Sequence, residues 1–117
     1  MEEVESIVEE VTTEKDWNAL KQEASVKCIV VKFFAVWCGA CKIMIDKFEA
    51  IAQEYKDHQD IRFVKINIET LEDLASEFDV SALPTFVLLK EGKEIERALG
   101  PHQELLETMV KKHCTVA

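Results

Sequence analysis

The stretch FFAVWCGACKIM, residues 33–44, sets two cysteines three positions apart, directly after an apolar run that ends in a tryptophan. Upstream, KCIVVKFFAV (27–36) is too β-branched, aromatic and continuous for a surface helix and suits a central strand covered on both faces. Downstream, Met44, Ile45, Phe48, Ile51, Ala52 and Tyr55 recur at helical spacing. Cys38 and Cys41 therefore fall where a strand ends and a helix begins. Lys32 breaks an otherwise buried strand, and it has to be explained together with the pair.

Two cysteines so placed admit three readings: a redox centre, half of a metal site, or two ordinary buried thiols. At the first turn of a helix the backbone N–H groups are unpaired and the dipole is positive, so a thiolate is favoured over a thiol and Cys38 becomes a candidate nucleophile. A free cysteine is about 3% ionised at pH 7, and each unit of pKa depression, about 1.4 kcal/mol, raises that fraction up to tenfold. Cys41, one turn on and more buried, is suited to attack a mixed disulfide at Cys38 and release a reduced substrate. A closed zinc site needs four ligands. The other cysteines are Cys28, at the far end of the same strand, and Cys114, near the end of the chain, while His58, His102 and His113 are scattered surface candidates, so no metal is expected. Trp37, Gly39 and Ala40 give the pair an exposed-loop setting rather than a core one.

The 117 residues, 48% hydrophobic, have the size of a single domain spanning 1–117. Fourteen Lys and Arg against 23 Asp and Glu give a net charge of −9 spread along the chain, which opposes nucleic acid and anionic membranes as partners. MEEVESIVEE at the start carries acids where a secretory signal needs basic residues, and no run approaches the roughly 18 apolar residues of a membrane span. A cytoplasmic monomer is the expectation. In a reducing compartment a close cysteine pair means chemistry more often than stapling.

Around the central unit the pattern alternates. Residues 4–11 read as a weak first strand, and TEKDWNALKQEA (13–24) as a helix capped by Thr13 with Asp16 three later, its inner face Trp17, Leu20 and Ala24. IRFVKINIE (61–69) is a third strand, and TLEDLASEF (70–78) a short helix with Leu71, Leu74, Ala75 and Phe78 inward, so the first half pairs in parallel. TFVLL (85–89) and EIERAL (94–99), joined by KEGK (90–93), form an antiparallel hairpin before a last helix through Leu105, Leu106, Met109 and Val110. The expected fold is α/β, a central mixed sheet with a parallel first half and an antiparallel C-terminal hairpin, flanked by about four helices.

WCGAC at a strand-to-helix junction, ALPTF some forty residues later, KEGK as a turn and ALG after the last strand together resemble the thioredoxin family, in order and spacing from about residue 5 to residue 113. The resemblance implies the thioredoxin fold and a protein-disulfide reductase of cell redox homeostasis, cycling Cys38 and Cys41 between dithiol and Cys38–Cys41 disulfide. Cys38 would be the nucleophile and Cys41 the resolving thiol. Pro84 would be a cis-proline packed against the pair, the backbone of Leu83 would pair with an extended substrate, and Trp37, Gly39, Ala40, Leu83, Leu99 and Gly100 would form the substrate groove. It further implies disulfide-containing protein substrates, no bound cofactor, and electrons from NADPH through a thioredoxin reductase. Two alternatives stand beside it: a non-catalytic binding module using the groove beside Pro84, and an iron–sulfur protein whose CxxC pairs from two chains share a cluster.

Three residues depart from the family pattern, the first being Asp46, which stands where the family tends to carry a proline that kinks the active-site helix, so a straighter helix is expected. Ala40 replaces the proline usual between the cysteines, which loosens the loop, restores an N–H near the sulfurs and shifts the loop's potential. Lys32 stands where the family buries an aspartate. A cation there lowers thiol pKa values, a neutral amine acts as a base, and a snorkelling stem leaves the chemistry untouched. Lys65 matches a lysine that neighbours that aspartate, so two lysines meet unless an acid such as Glu69 intervenes. Cys28 reads as a small core residue, and Cys114 as an exposed thiol in a frayed tail, available for a Cys114-linked dimer.

Overall fold

The computed structural model describes residues 6–114. Its elements are β1 (Glu9–Glu10), α1 (Glu14–Gln22), β2 (Cys28–Phe34), α2 (Gly39–Glu54), β3 (Ile61–Asn67), α3 (Glu72–Glu77), β4 (Thr85–Lys90), β5 (Lys93–Leu99) and α4 (Gln103–Cys114). The strands form one sheet in the order β1-β3-β2-β4-β5. β1 and β2 run parallel to β3, whereas β4 is antiparallel to both β2 and β5. This is the mixed, four-helix architecture that the alternating pattern predicts.

The period of two in β2 explains why both sheet faces are covered. Cys28 and Val30 point toward α2 and α4, packing with Met44, Phe48, Leu106 and Met109. Ile29, Val31 and Phe33 point the other way, onto Trp17, Leu20, Leu71 and Leu74 of the α1 and α3 layer. β3 and β4 alternate likewise, Phe63 and Phe86 joining the first layer and Val64 and Val87 the second. A strand buried on both faces cannot alternate polar with apolar, hence its continuous hydrophobic sequence. By the same parity Lys32 and Lys65, in register on β2 and β3, lie on the α2 side.

Local chemistry sets the ends. The Thr13 side chain accepts from the Asp16 N–H and caps α1. Glu91 and Gly92, with φ of +53° and +78°, make the tight turn between β4 and β5, the two left-handed residues that a twisted two-residue hairpin demands.

Several expectations are corrected. The first strand is only Glu9–Glu10; Ser6, Ile7 and Val8 instead bond to the Glu49 carboxylate of α2, and residues 4 and 5 lie outside the described residues. α1 stops at Gln22, leaving Ala24 exposed. Ile45 and Leu105, expected inside, are about half exposed: Leu105 is turned off the buried stripe of α4, and Ile45 overhangs a part of the sheet that ends in lysines. His113 is less exposed than a surface histidine, its ring bonded to Glu96 at 2.7 Å. Cys114 lies in the last turn of α4, buried with Cys28 in the core rather than exposed in a tail, so the folded surface does not present the thiol that the expected Cys114-linked dimer needs.

Candidate active site

Where β2 gives out, Ala35 is buried, Val36 and Trp37 turn to the surface, and Cys38 becomes the N-cap of α2. The Cys38 Sγ takes the place that an N-cap oxygen normally fills, accepting the Cys41 N–H at 3.2 Å. An N–H aimed at sulfur at the positive end of a 16-residue helix favours negative charge on that sulfur. Cys38 is 9% exposed and Cys41 2%, so the outer sulfur is the one a large partner meets first. With Ala35 they form a small cluster on which Phe34, Ala40, Ile68 and Leu83 pack.

Burial pushes the Cys41 thiol up to about 11, and its hydrogen bond to Cys38 pushes the same way; a hydrogen bond from the Ala35 backbone and the Lys32 charge oppose them. One sulfur of the pair is thus the outer one, at a helix start, and the other holds its proton until something removes the cost of ionising it.

Lys32 is held inside. Only 3% exposed, it donates from Nζ to the Cys41 carbonyl at 2.9 Å, which excludes a stem snorkelling to water. Cys41 is therefore gripped at both backbone ends, its N–H on the Cys38 sulfur and its C=O on the ammonium. Burial lowers the Lys32 pKa and repulsion from Lys65 adds to that, while negative charge on Cys41 and Cys38 raises it. The Phe34 ring lies 5.9 Å from the Lys32 Nζ and 5.7 Å from that of Lys65, so one aromatic ring serves both cations. Glu69 does not stand between them; it accepts from the Trp37 indole N–H at 3.1 Å. A cavity of about 320 Å³ opens from Cys41 along these lysines, bounded by Phe34, Ile45 and Glu10.

The third side of the site comes from the second half of the chain. The Leu83–Pro84 peptide is cis, and Pro84 lies buried immediately before β4. Thr85 pairs with Leu99, and the Gly100 N–H donates to the Pro84 carbonyl at 2.8 Å, so Pro84, Leu99 and Gly100 sit together. Leu99 is 48% and Trp37 65% exposed, apolar surface that nothing in the fold covers. Gly100, at φ +85°, has the His102 ring 3.2 Å from where a Cβ would stand, which makes glycine the residue that fits. At Gly39 an added Cβ would meet nothing within 4 Å.

The structure thus brings Leu83 onto the cysteine cluster and joins Pro84 to Leu99 and Gly100, while it turns Trp37 toward Glu69. Sequence reasoning missed Phe34, Ala35 and Ile68 as parts of the site, and it set Glu69 between the lysines rather than on Trp37. Phe34 was findable, since it is two residues from Lys32 on the same face of β2; nothing local marked Ile68. Among the described residues no three His, Cys, Asp or Glu side chains converge as they would around a metal ion.

The thioredoxin family model matches residues 8–112. Thioredoxin H2 of Arabidopsis thaliana is 44% identical over 96 residues, 82% of this chain and 68% of that protein. A thioredoxin H-type of Fagopyrum esculentum is 35% identical over 106 residues, 89% of each. Among solved structures, thioredoxin NaTrxh from Nicotiana alata aligns with a TM-score of 0.83 at 38% identity over 97% of both chains. None of these likenesses supports a non-catalytic binding module or an iron–sulfur protein.

Proposed function

The chain belongs to the thioredoxin family and is a thiol–disulfide oxidoreductase acting on protein disulfides, and from that premise we propose that Cys38 is its nucleophile and Cys41 its resolving thiol. The observation that carries the assignment is the Cys38 sulfur at the N-cap of α2, accepting the Cys41 N–H. Cys38 thiolate attacks one sulfur of the substrate disulfide, forming a mixed disulfide and expelling the other as a thiolate. Cys41, once deprotonated, attacks the Cys38 sulfur, releases the second substrate thiolate and leaves a Cys38–Cys41 disulfide. Two electrons pass to the substrate, whose thiolates take up two protons.

Trp37, Leu83, Leu99 and Gly100 receive the substrate segment beside Pro84, supported by the uncovered apolar surface of Trp37 and Leu99 and by the Gly100–Pro84 bond. Lys32 assists the second step. Its ammonium, fixed on the Cys41 carbonyl, offsets the burial cost of a Cys41 thiolate; its lowered pKa also makes the amine a better proton acceptor. Lys65 tunes Lys32 by repulsion, and Gly39 and Ala40 leave the loop between the sulfurs open. The protein works as a cytoplasmic monomer without a bound cofactor, re-reduced by NADPH through a thioredoxin reductase; the family supports this reading, as does the net charge of −9 against nucleic acid.

Insulin-disulfide reduction coupled to NADPH and a thioredoxin reductase tests it. The parent should turn over, Cys28→Ser should retain activity, and Cys41→Ser should stop at a mixed disulfide carried by Cys38. A trapped adduct on any other cysteine refutes the assignment.

A further inference from the structure

Two cysteines outside the dithiol cycle are buried against each other. Cys28 opens β2 and Cys114 closes α4. They are 2% and 6% exposed, share the core cluster beneath α2 and α4, and each thiol is the other's main electrostatic partner. Nothing in substrate reduction uses them. We propose that Cys28 and Cys114 are a second dithiol, which hydroperoxide oxidises to an intramolecular disulfide that fastens the end of α4 to the sheet.

Each thiol is the other's main electrostatic partner, so one proton is shared between the two sulfurs and ionisation of either is coupled to the other. Lys90, the register partner of Cys28 on β4, favours a thiolate at either sulfur, and Asp60, whose carbonyl takes the Cys28 N–H, opposes it. Access comes through the final turn of α4, since helix ends open at lower free energy than helix middles. One of the two sulfurs, as thiolate, then attacks the peroxide oxygen, giving a sulfenic acid and, after protonation, one alcohol or water. The other thiol attacks that sulfur and expels the oxygen as a second water. Two thiols lose two electrons and the hydroperoxide gains them. Two sulfurs packed in one buried cluster reach the S–S length of about 2.05 Å by a closing movement of the end of α4 against β2. The resulting crosslink closes a loop spanning most of the chain, the arrangement in which a disulfide restricts the unfolded state most.

The experiment uses the Cys38→Ser/Cys41→Ser protein, which retains only the second pair. Dilute hydrogen peroxide should remove both free thiols together, lower the mass by two hydrogens, leave the protein monomeric on a non-reducing gel, and raise the thermal midpoint by at least about 5 °C, reversibly with dithiothreitol. Added oxygen atoms, covalent dimers, or thiols that still titrate under peroxide sufficient to oxidise the parent's active pair would overturn the proposal. Cys114→Ala in the same background should lose the thermal rise; if it keeps the rise, the crosslink is not its cause. Should that variant fail to fold, peptide mapping of the peroxide-treated parent must find the Cys28 and Cys114 peptides joined, and their absence refutes the pair.

Discussion

Replacing Lys32 by methionine should make the protein more stable and a slower reductase at once. Methionine keeps the unbranched stem that fills the space under α2 and deletes only the ammonium, which is buried, repelled by Lys65 and, among the described residues, in no ion pair within 4 Å of a carboxylate. A basic group whose folded pKa is lowered binds fewer protons folded than unfolded. It therefore costs stability at neutral pH, and that cost fades as pH rises from the lowered value toward the ordinary 10.5. Apolar replacement of a buried charge is worth about 1–4 kcal/mol, and a lost hydrogen bond to the Cys41 carbonyl returns about 1–2 kcal/mol of that, so the mid-range values leave a net gain of about 1 kcal/mol at pH 7. The chemistry moves the other way. At an effective dielectric of about 20, an opposite charge at the far end of the roughly 4–6 Å range over which a cation acts on a thiolate is worth about 2.8 kcal/mol, or about two pKa units. The Cys41 thiol, already at about 11, should climb by about one unit after solvent screening. Denaturant unfolding reads the first effect. The second is read by loading Cys38 with a chromophoric thiol and following its release by Cys41 against pH: about tenfold slower at neutral pH in Lys32→Met, with the rise in rate displaced about one unit upward. Unchanged release, or a less stable variant, would refute the reasoning that the ammonium trades folding energy for thiolate stabilisation.

Other contacts give independent tests. Lys65→Met removes the repulsion that lowers Lys32, so the stability cost of Lys32 should shrink and the unfolding free energy should depend less steeply on alkaline pH. Partial burial alone would raise the Glu49 carboxyl, but bonds from Ser6, Ile7, Gln53 and Val8 take it below the usual range. Its contribution is therefore present above about pH 4.3, the unfolded value, and lost as pH falls through the lower folded one. Glu49→Gln should accelerate amide exchange at Ile7 and Val8 by roughly tenfold at neutral pH, and equal protection in the two proteins would count against the anchor. Gly92→Ala should cost about 1–2 kcal/mol in thermal unfolding from its φ of +78° alone, since an added Cβ there meets nothing. Glu69→Ala frees the Trp37 indole, an exposed contact worth about 1 kcal/mol at most, and should raise KM for protein disulfides a few-fold with kcat little changed; a lowered kcat would place Glu69 in the chemistry instead.

The sequence by itself determined the order and type of the elements, because each rests on short-range periodicity: the doubly covered β2, the helical stripe behind it, the KEGK turn, and the Cys38–Cys41 pair at the junction. It fixed the pair's place at a helix start, which is enough to single out Cys38. It did not determine what surrounds Lys32. That depends on β3 lying in register beside β2, setting Lys65 and the Phe34 ring about a buried ammonium, and on α2 crossing so that its Cys41 carbonyl meets Nζ. A residue's own neighbours in sequence carry no information on either. The same holds for Cys114, which by position reads as a tail but is carried by α4 across the sheet to the opening residue of β2. For Glu49, whose carboxylate takes the place of strand partners for Ser6 to Val8, the competing bond lay some forty residues away. Local patterns decide which backbone bonds form, whereas burial, charge environment and thiol pairing are set by packing between segments that only the tertiary structure brings together.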